Sequence, residues 1–326
     1  MNLLNLSVES VTFEDVRVRG QGEGAQGTVR RSSRIVGFFV VAFVGATMAS
    51  AAGTAPLNVM YGTGGHDHIA ATPAADVIYA KSGNDTITGV GTGDVVYASS
   101  GNDKVSFEPL AAVNNVLIDT NVGHDTIEST GVVDNAFVNS GSGNDTIKLN
   151  GCGHTIAGES GNDKYTNNAS CLLSPSNANV GNGNDEVVLL NATNIHLGNG
   201  NDKLTTSTPG AVGASDGNDR ITFQGGGYAL VTLGVGHDIV ELIGSHAVTV
   251  VGSNGDDRVS IRGGGDHVVH GQGGNDTTEI SEFGAHNALF GGTGRDKARL
   301  AAQSSGTTCE SIENVVDWSH HHRACS

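Results

Sequence analysis

Thirteen aspartates recur along the chain, at Asp67, Asp85, Asp103, Asp125, Asp145, Asp163, Asp185, Asp202, Asp219, Asp238, Asp257, Asp276 and Asp296, in steps of 17 to 22 residues that average about 19. Each has a glycine two residues before it: Gly65, Gly83, Gly101, Gly123, Gly143, Gly161, Gly183, Gly200, Gly217, Gly236, Gly255, Gly274 and Gly294. The residue between is usually Asn, as in Asn84, Asn144 and Asn201, and otherwise His, Asp or Arg. Gly and Asn take positive φ most readily, so the unit is expected to be a tight turn ending in a carboxylate. Carboxylates and turn carbonyls are hard oxygen donors, the set that calcium takes six to eight at a time. Two readings follow. Either neighbouring turns bring two Asp side chains to one ion, or each Asp bonds only its own turn and the array is metal-free. The charge favours the ion: bare carboxylates stacked about 5 Å apart repel by on the order of 1 kcal/mol per pair even in water.

Short strands must position these turns. The second residue past each Asp is apolar in twelve of thirteen copies (Ile87, Val105 and Ile221 among them), Thr278 being the exception. The fourth is often apolar too, as in Phe107, Leu189 and Ile261, while the first and third are mostly polar. Period two with one apolar face is a half-buried strand. A weaker strand pattern lies between consecutive Asp turns, in His246-Ala247-Val248-Thr249-Val250, His267-Val268-Val269 and Asn287-Ala288-Leu289-Phe290. Strands this short are unstable alone, so the copies must stack in parallel about 4.8 Å apart. The expected fold is all-β: a parallel β-roll of about thirteen two-strand rungs over residues 52–300, with residues 301–326 as a small cap. Composition agrees, since 49 Gly and 5% aromatic residues are poor material for one thick core.

The segments Ala80-Lys81-Ser82-Gly83-Asn84-Asp85-Thr86-Ile87 and Gly271-Gln272-Gly273-Gly274-Asn275-Asp276-Thr277 resemble the nonapeptide of the repeats-in-toxin, or haemolysin-type, calcium-binding family, Gly-Gly-x-Gly-x-Asp-x-apolar-x. The resemblance spans roughly residues 58 to 300 and implies a calcium-filled parallel β-roll whose thirteen aspartates are ligands for several Ca2+ ions. This chain departs from the pattern in two ways. Asp76 and Asp94 are the clearest remnants of a second Asp row, so one row of ions along one edge is expected. The leading Gly pair is also replaced in many copies, for example by Ala98, Thr120, Val180, Leu197 and Leu233.

Arg30, Arg31 and Arg34, the apolar run Ile35–Ala46 and Ala49-Ser50-Ala51 read as a secretory signal cleaved near Ala51, with residues 1–51 as extension plus signal. A retained anchor is the alternative. Without those residues 12 Lys and Arg face 30 Asp and Glu, a formal charge of −18, which argues against nucleic acid or anionic membrane as partners. In an exported chain four cysteines suggest two disulfides. Cys152 and Cys171 stand one repeat apart and are the preferred pair, leaving Cys309 with Cys325 to close an apolar cap of Ile312, Val315, Val316 and Trp318. His320, His321 and His322 are read as an exposed tail rather than a metal site.

Neither a His-Glu-x-x-His zinc motif nor a Gly-x-Ser-x-Gly elbow is present, and the expectation is a non-enzyme. The alternative is a polysaccharide lyase or epimerase built on the solenoid side, for which Arg258, Arg262, Asp266, His267 and His270 are the densest group. Columns of Thr such as Thr86, Thr126 and Thr146 suggest ice binding, but Lys, Arg and Glu interrupt them. The reading is a secreted, calcium-binding protein with a structural or adhesive role, with cell-surface or matrix carbohydrate as the partner class left open.

Overall fold

The computed structural model describes residues 57–317 except 108–111, 168, 170–175, 191, 208–209, 282–285 and 302–305. The expected signal, Trp318, His320–His322, Cys171 and Cys325 lie outside the described residues. Among those described, no helix is long and apolar enough to cross a membrane.

Two parallel sheets of fourteen strands each run the length of the solenoid. The chain alternates between them. A strand such as Val95–Tyr97 in the first sheet leads through the Asp103 turn into Lys104–Phe107 in the second. Successive copies stack in register, with Ile87 opposite Val105, Val187 opposite Leu204 and Ile221 opposite Val240. The residues two and four past the Asp point into the interior, where Ile87, Val105, Ile127, Leu204, Phe223 and Ile261 are all buried. From the first sheet Ile78, Val96, Ile118, Val231 and Val250 close the same core. The period-two pattern therefore describes both sheets, and the weaker strand is as continuous as the stronger one.

Variation in repeat length is taken up between a second-sheet strand and the next first-sheet strand. There the 22-residue step from Asp103 to Asp125 and the 20-residue step to Asp145 add a small sheet of Val113–Asn114 and Val133–Asp134. The Asp edge keeps a constant length, so its turns superpose rung after rung.

The C-terminal segment differs from the expected cap. Thr308–Glu310 and Asn314–Asp317 extend the two sheets by one strand each, placing Cys309 opposite Leu289 and Val315 opposite Ala298. Ile312 and Val315 pack on the core as members of a fourteenth coil rather than as a lid over the thirteenth. No free cysteine stands among the described residues. The expected partners of Cys152 and Cys309 fall outside them, so the two pairings remain expectations.

Candidate metal-binding edge

Twelve of the thirteen aspartates, Asp85 through Asp296, are buried at 7% exposure or less, while Asp67 at the first turn is partly exposed. One hydrogen-bond pattern holds them. The backbone N–H of each Asp donates to Oδ1 of the Asp one coil further on, at 2.7–2.9 Å, as in Asp85 to Asp103, Asp145 to Asp163 and Asp202 to Asp219. At the turn the strand ladder has ended and this N–H has no carbonyl to meet. The next carboxylate supplies the acceptor.

The ladder is finished at both ends. Asp67, in the first coil of the described residues, accepts its own turn's Thr63 N–H at 2.6 Å and the Thr63 hydroxyl. The Asp296 N–H donates to Glu313 Oε2 at 2.6 Å. Glu313 is a ladder residue outside the Gly-x-Asp pattern. It stands three positions past its first-sheet register residue Glu310, whereas Asp296 stands six past Phe290, so its turn has no room for a Gly-x-Asp step. The longer Glu side chain spans the difference.

The residue before each Asp forms a second ladder running the other way. Asn102 N–H donates to Asn84 Oδ1, His124 N–H to Asn102 Oδ1, Asn144 N–H to His124 Nδ1 and Asn218 N–H to Asn201 Oδ1. This corrects the expected role of the Asn. It does not take positive φ; it is a side-chain acceptor, which is why His and Asp also serve and Ala or Ser never appears. Arg295, which accepts nothing, stands last, where only its own N–H is used. Asn201→Ala is therefore expected to cost about 1 kcal/mol, whereas Arg295→Ala leaves stability unchanged. The urea midpoints of the two variants check this.

Gly positions are fixed more rigidly. Twelve of the thirteen turn glycines, all but Gly65, lie at positive φ between 123° and 155°. Each sits directly over the carbonyl of the glycine one coil earlier, leaving no space for a Cβ.

The second Asp oxygen is left over. Oδ2 of Asp85, Asp103, Asp125, Asp145, Asp185, Asp202, Asp219, Asp238, Asp257, Asp276 and Asp296 is buried without a hydrogen-bond partner. Asp163 differs because Tyr165, buried two residues on, donates its hydroxyl to Oδ2 at 3.2 Å. Burial raises the carboxyls of Asp125, Asp163, Asp202, Asp219 and Asp257 to about 7 and those of Asp185 and Asp276 to about 6. Among the described residues no three acidic, His or Cys side chains converge on one point, so an ion here would have to take most of its oxygens from the backbone.

The opposite edge carries no continuous Asp row. Asp76 N–H donates to Asp94 Oδ1 at 2.8 Å, as expected of remnants. Further along, buried His154 and His267 take over the acceptor role through Nδ1, receiving the N–H of Ala136 and Val248. Sequence reasoning passed over His154, whose only signal was its place directly before the strand Thr155–Ser160.

The enzyme-like group is not brought together. His267 is wholly buried, His270 stacks on Phe290 outside the first sheet, and Arg258 lies on the second sheet bonded to Glu279. Asp266 stands exposed on the turn before His267.

No protein-family model matches the chain, and no curated protein is significantly similar to it.

Proposed function

We propose that this is an exported, calcium-binding β-roll protein of the repeats-in-toxin type, with a structural or adhesive role and no catalytic activity. The observation that carries the reading is the row of buried, unpartnered Oδ2 atoms along one edge. A buried polar oxygen without a partner costs about 1–3 kcal/mol, and more when charged. Each such oxygen in the row calls for a compensating group, a cation where there is room for one and a proton where there is not. Calcium suits it because its coordination is irregular and all-oxygen, whereas magnesium requires a tight octahedron that stacked turns do not form. Asp side chains of the row would hold the ion, and the ion would neutralise the carboxylates it meets and tie their coils together. Millimolar calcium outside the cell fills even weak sites, so calcium completes folding there and scarcely acts inside.

An adhesive role has support on the outer faces, which differ. The second sheet carries ion pairs such as Lys164–Glu186 and Arg220–Glu241, whereas the first carries Tyr61, Tyr79 and Tyr97 stacked at 5.4 and 5.1 Å.

Titrating calcium into the chelated chain is expected to deepen the far-UV circular dichroism β-signal, with magnesium ineffective. An unchanged signal together with no calcium retained in equilibrium dialysis would leave a metal-free solenoid.

A further inference from the structure

The eleven unpartnered Oδ2 atoms do not share the same surroundings, and the residue five positions before each Asp makes the difference. From Ala80 to Leu233 that residue carries a side chain in every coil but one. Ala80, Ala98, Val180, Leu197, Ala214 and Leu233 are buried there and place carbon where an ion would sit. Thr120 and Ser140 place a buried β-carbon and hydroxyl at the same point. Glycine occupies the position in five coils: Gly62, Gly158, Gly252, Gly271 and Gly291.

Two of these five are already served. Beside Gly62, Oδ2 of Asp67 accepts the Thr63 N–H. Beside Gly158, the Tyr165 hydroxyl fills the space that a Cβ would need and donates to Asp163 Oδ2.

Three consecutive coils remain. At Gly252, Gly271 and Gly291 an Asp Oδ2 (Asp257, Asp276, Asp296) and the carbonyl oxygen of the next coil (Gly271, Gly291, Ser311) both lie within 2.7 Å of the point a Cβ would take. All three Oδ2 atoms are buried and unpartnered. A small, partly enclosed cavity, large enough for about one water, is lined by these three glycines and three aspartates together. Thr278, the one break in the apolar row two past the Asp, lines the same cavity and adds a hydroxyl where, Tyr165 apart, the other coils carry hydrocarbon alone.

Resting on the calcium reading above, we infer that calcium binds only in these last three Asp coils, at Asp257, Asp276 and Asp296. The coils from Asp85 to Asp238 hold no ion, and there Asp serves as a hydrogen-bond acceptor alone. The array is thus a short metal site at its C-terminal end, carried on a long solenoid that repeats the turn without the site.

Calcium stoichiometry of the mature full-length chain, by equilibrium dialysis, tests this against Asp276→Asn, Gly271→Ala and Asp202→Asn. Asn keeps the Oδ1 acceptor in a nearly identical shape, so Asp276→Asn remains informative if Gly271→Ala does not fold. The expected result is at most three ions per chain, at least one lost in Asp276→Asn and none lost in Asp202→Asn. Binding of more than three ions, or an equal loss in Asp202→Asn, would overturn the inference and leave the calcium reading standing. No binding to the wild-type chain at all would overturn the calcium reading itself.

Discussion

Gly200→Ala is expected to destabilise the solenoid by on the order of 2–5 kcal/mol, a large fraction of a folded protein's usual stability. Two effects add. At φ +138° an L-side chain is strained, at a cost of about 1–2 kcal/mol. The new methyl would also overlap the Gly183 carbonyl oxygen in the coil before it. That oxygen belongs to backbone held between two ladders, so the overlap is relieved only by prising the coils apart, a further 1–3 kcal/mol by analogy with overpacked cores. Gly65→Ala makes the control, because the same motif position there stands in the first coil of the described residues. Its Cβ would meet nothing closer than the Thr63 hydroxyl at 3.9 Å, and its φ lies outside the left-handed region. Its effect should stay within about 0.5 kcal/mol. Thermal melting of the two variants separates stacking from turn propensity. If Gly65→Ala is as damaging as Gly200→Ala, the glycine requirement lies in the turn itself rather than in the stack.

The contrast also shows what was legible in the sequence. Gly two before Asp, and apolar residues two and four after it, are each imposed by one local constraint repeated thirteen times, so repetition made them visible. Fold, register and the inward face followed from that. The Asn column was equally visible but misassigned: Asn satisfies both a positive-φ rule and a side-chain acceptor rule, and only the bond from Asn218 N–H to Asn201 Oδ1 separates them. Glu313 and His154 stayed hidden because they perform a repeated job with a different residue type. Glu313 takes the Asp position across a shortened turn, and His154 takes an acceptor position that Asp fills in the early coils. The division of the Asp row was hidden for another reason. Whether a carboxylate is open to an ion depends on a residue five positions away and, at Asp163, on Tyr165 reaching back across the core.

In the calcium-free protein, acidification from about pH 7.5 to about pH 4.5 is expected to raise the melting temperature, the reverse of ordinary acid destabilisation. The sign follows from the buried aspartates. Burial lifts Asp125, Asp163, Asp202, Asp219 and Asp257 from the ordinary 3.8 to about 7. Between those values the folded chain holds protons that the unfolded chain has released. Stability from these groups is fully present below about 4 and is lost as pH rises through about 7. A tenfold difference in proton affinity between folded and unfolded chain corresponds to about 1.4 kcal/mol, and neighbouring carboxyls in the row compete for protons, so a total of several kcal/mol is a ceiling. His154 acts in the opposite direction. Burial lowers it to about 4, so the folded chain resists its protonation and loses stability as pH falls through 6.5. His267 is lowered as well, by burial first. Two histidines oppose five strongly raised aspartates, and Asp185 and Asp276, raised to about 6, add to the larger side. Saturating calcium should remove only the share of Asp257, Asp276 and Asp296, because an ion holds those carboxylates charged. The acid stabilisation from Asp125, Asp163, Asp202 and Asp219 should persist with calcium present. Melting temperatures across this pH range, with and without calcium, measure both parts. A calcium-free melting temperature that falls on acidification would mean that the buried aspartates are already neutralised by something other than protons. Its complete levelling by calcium would mean that ions reach the middle coils after all.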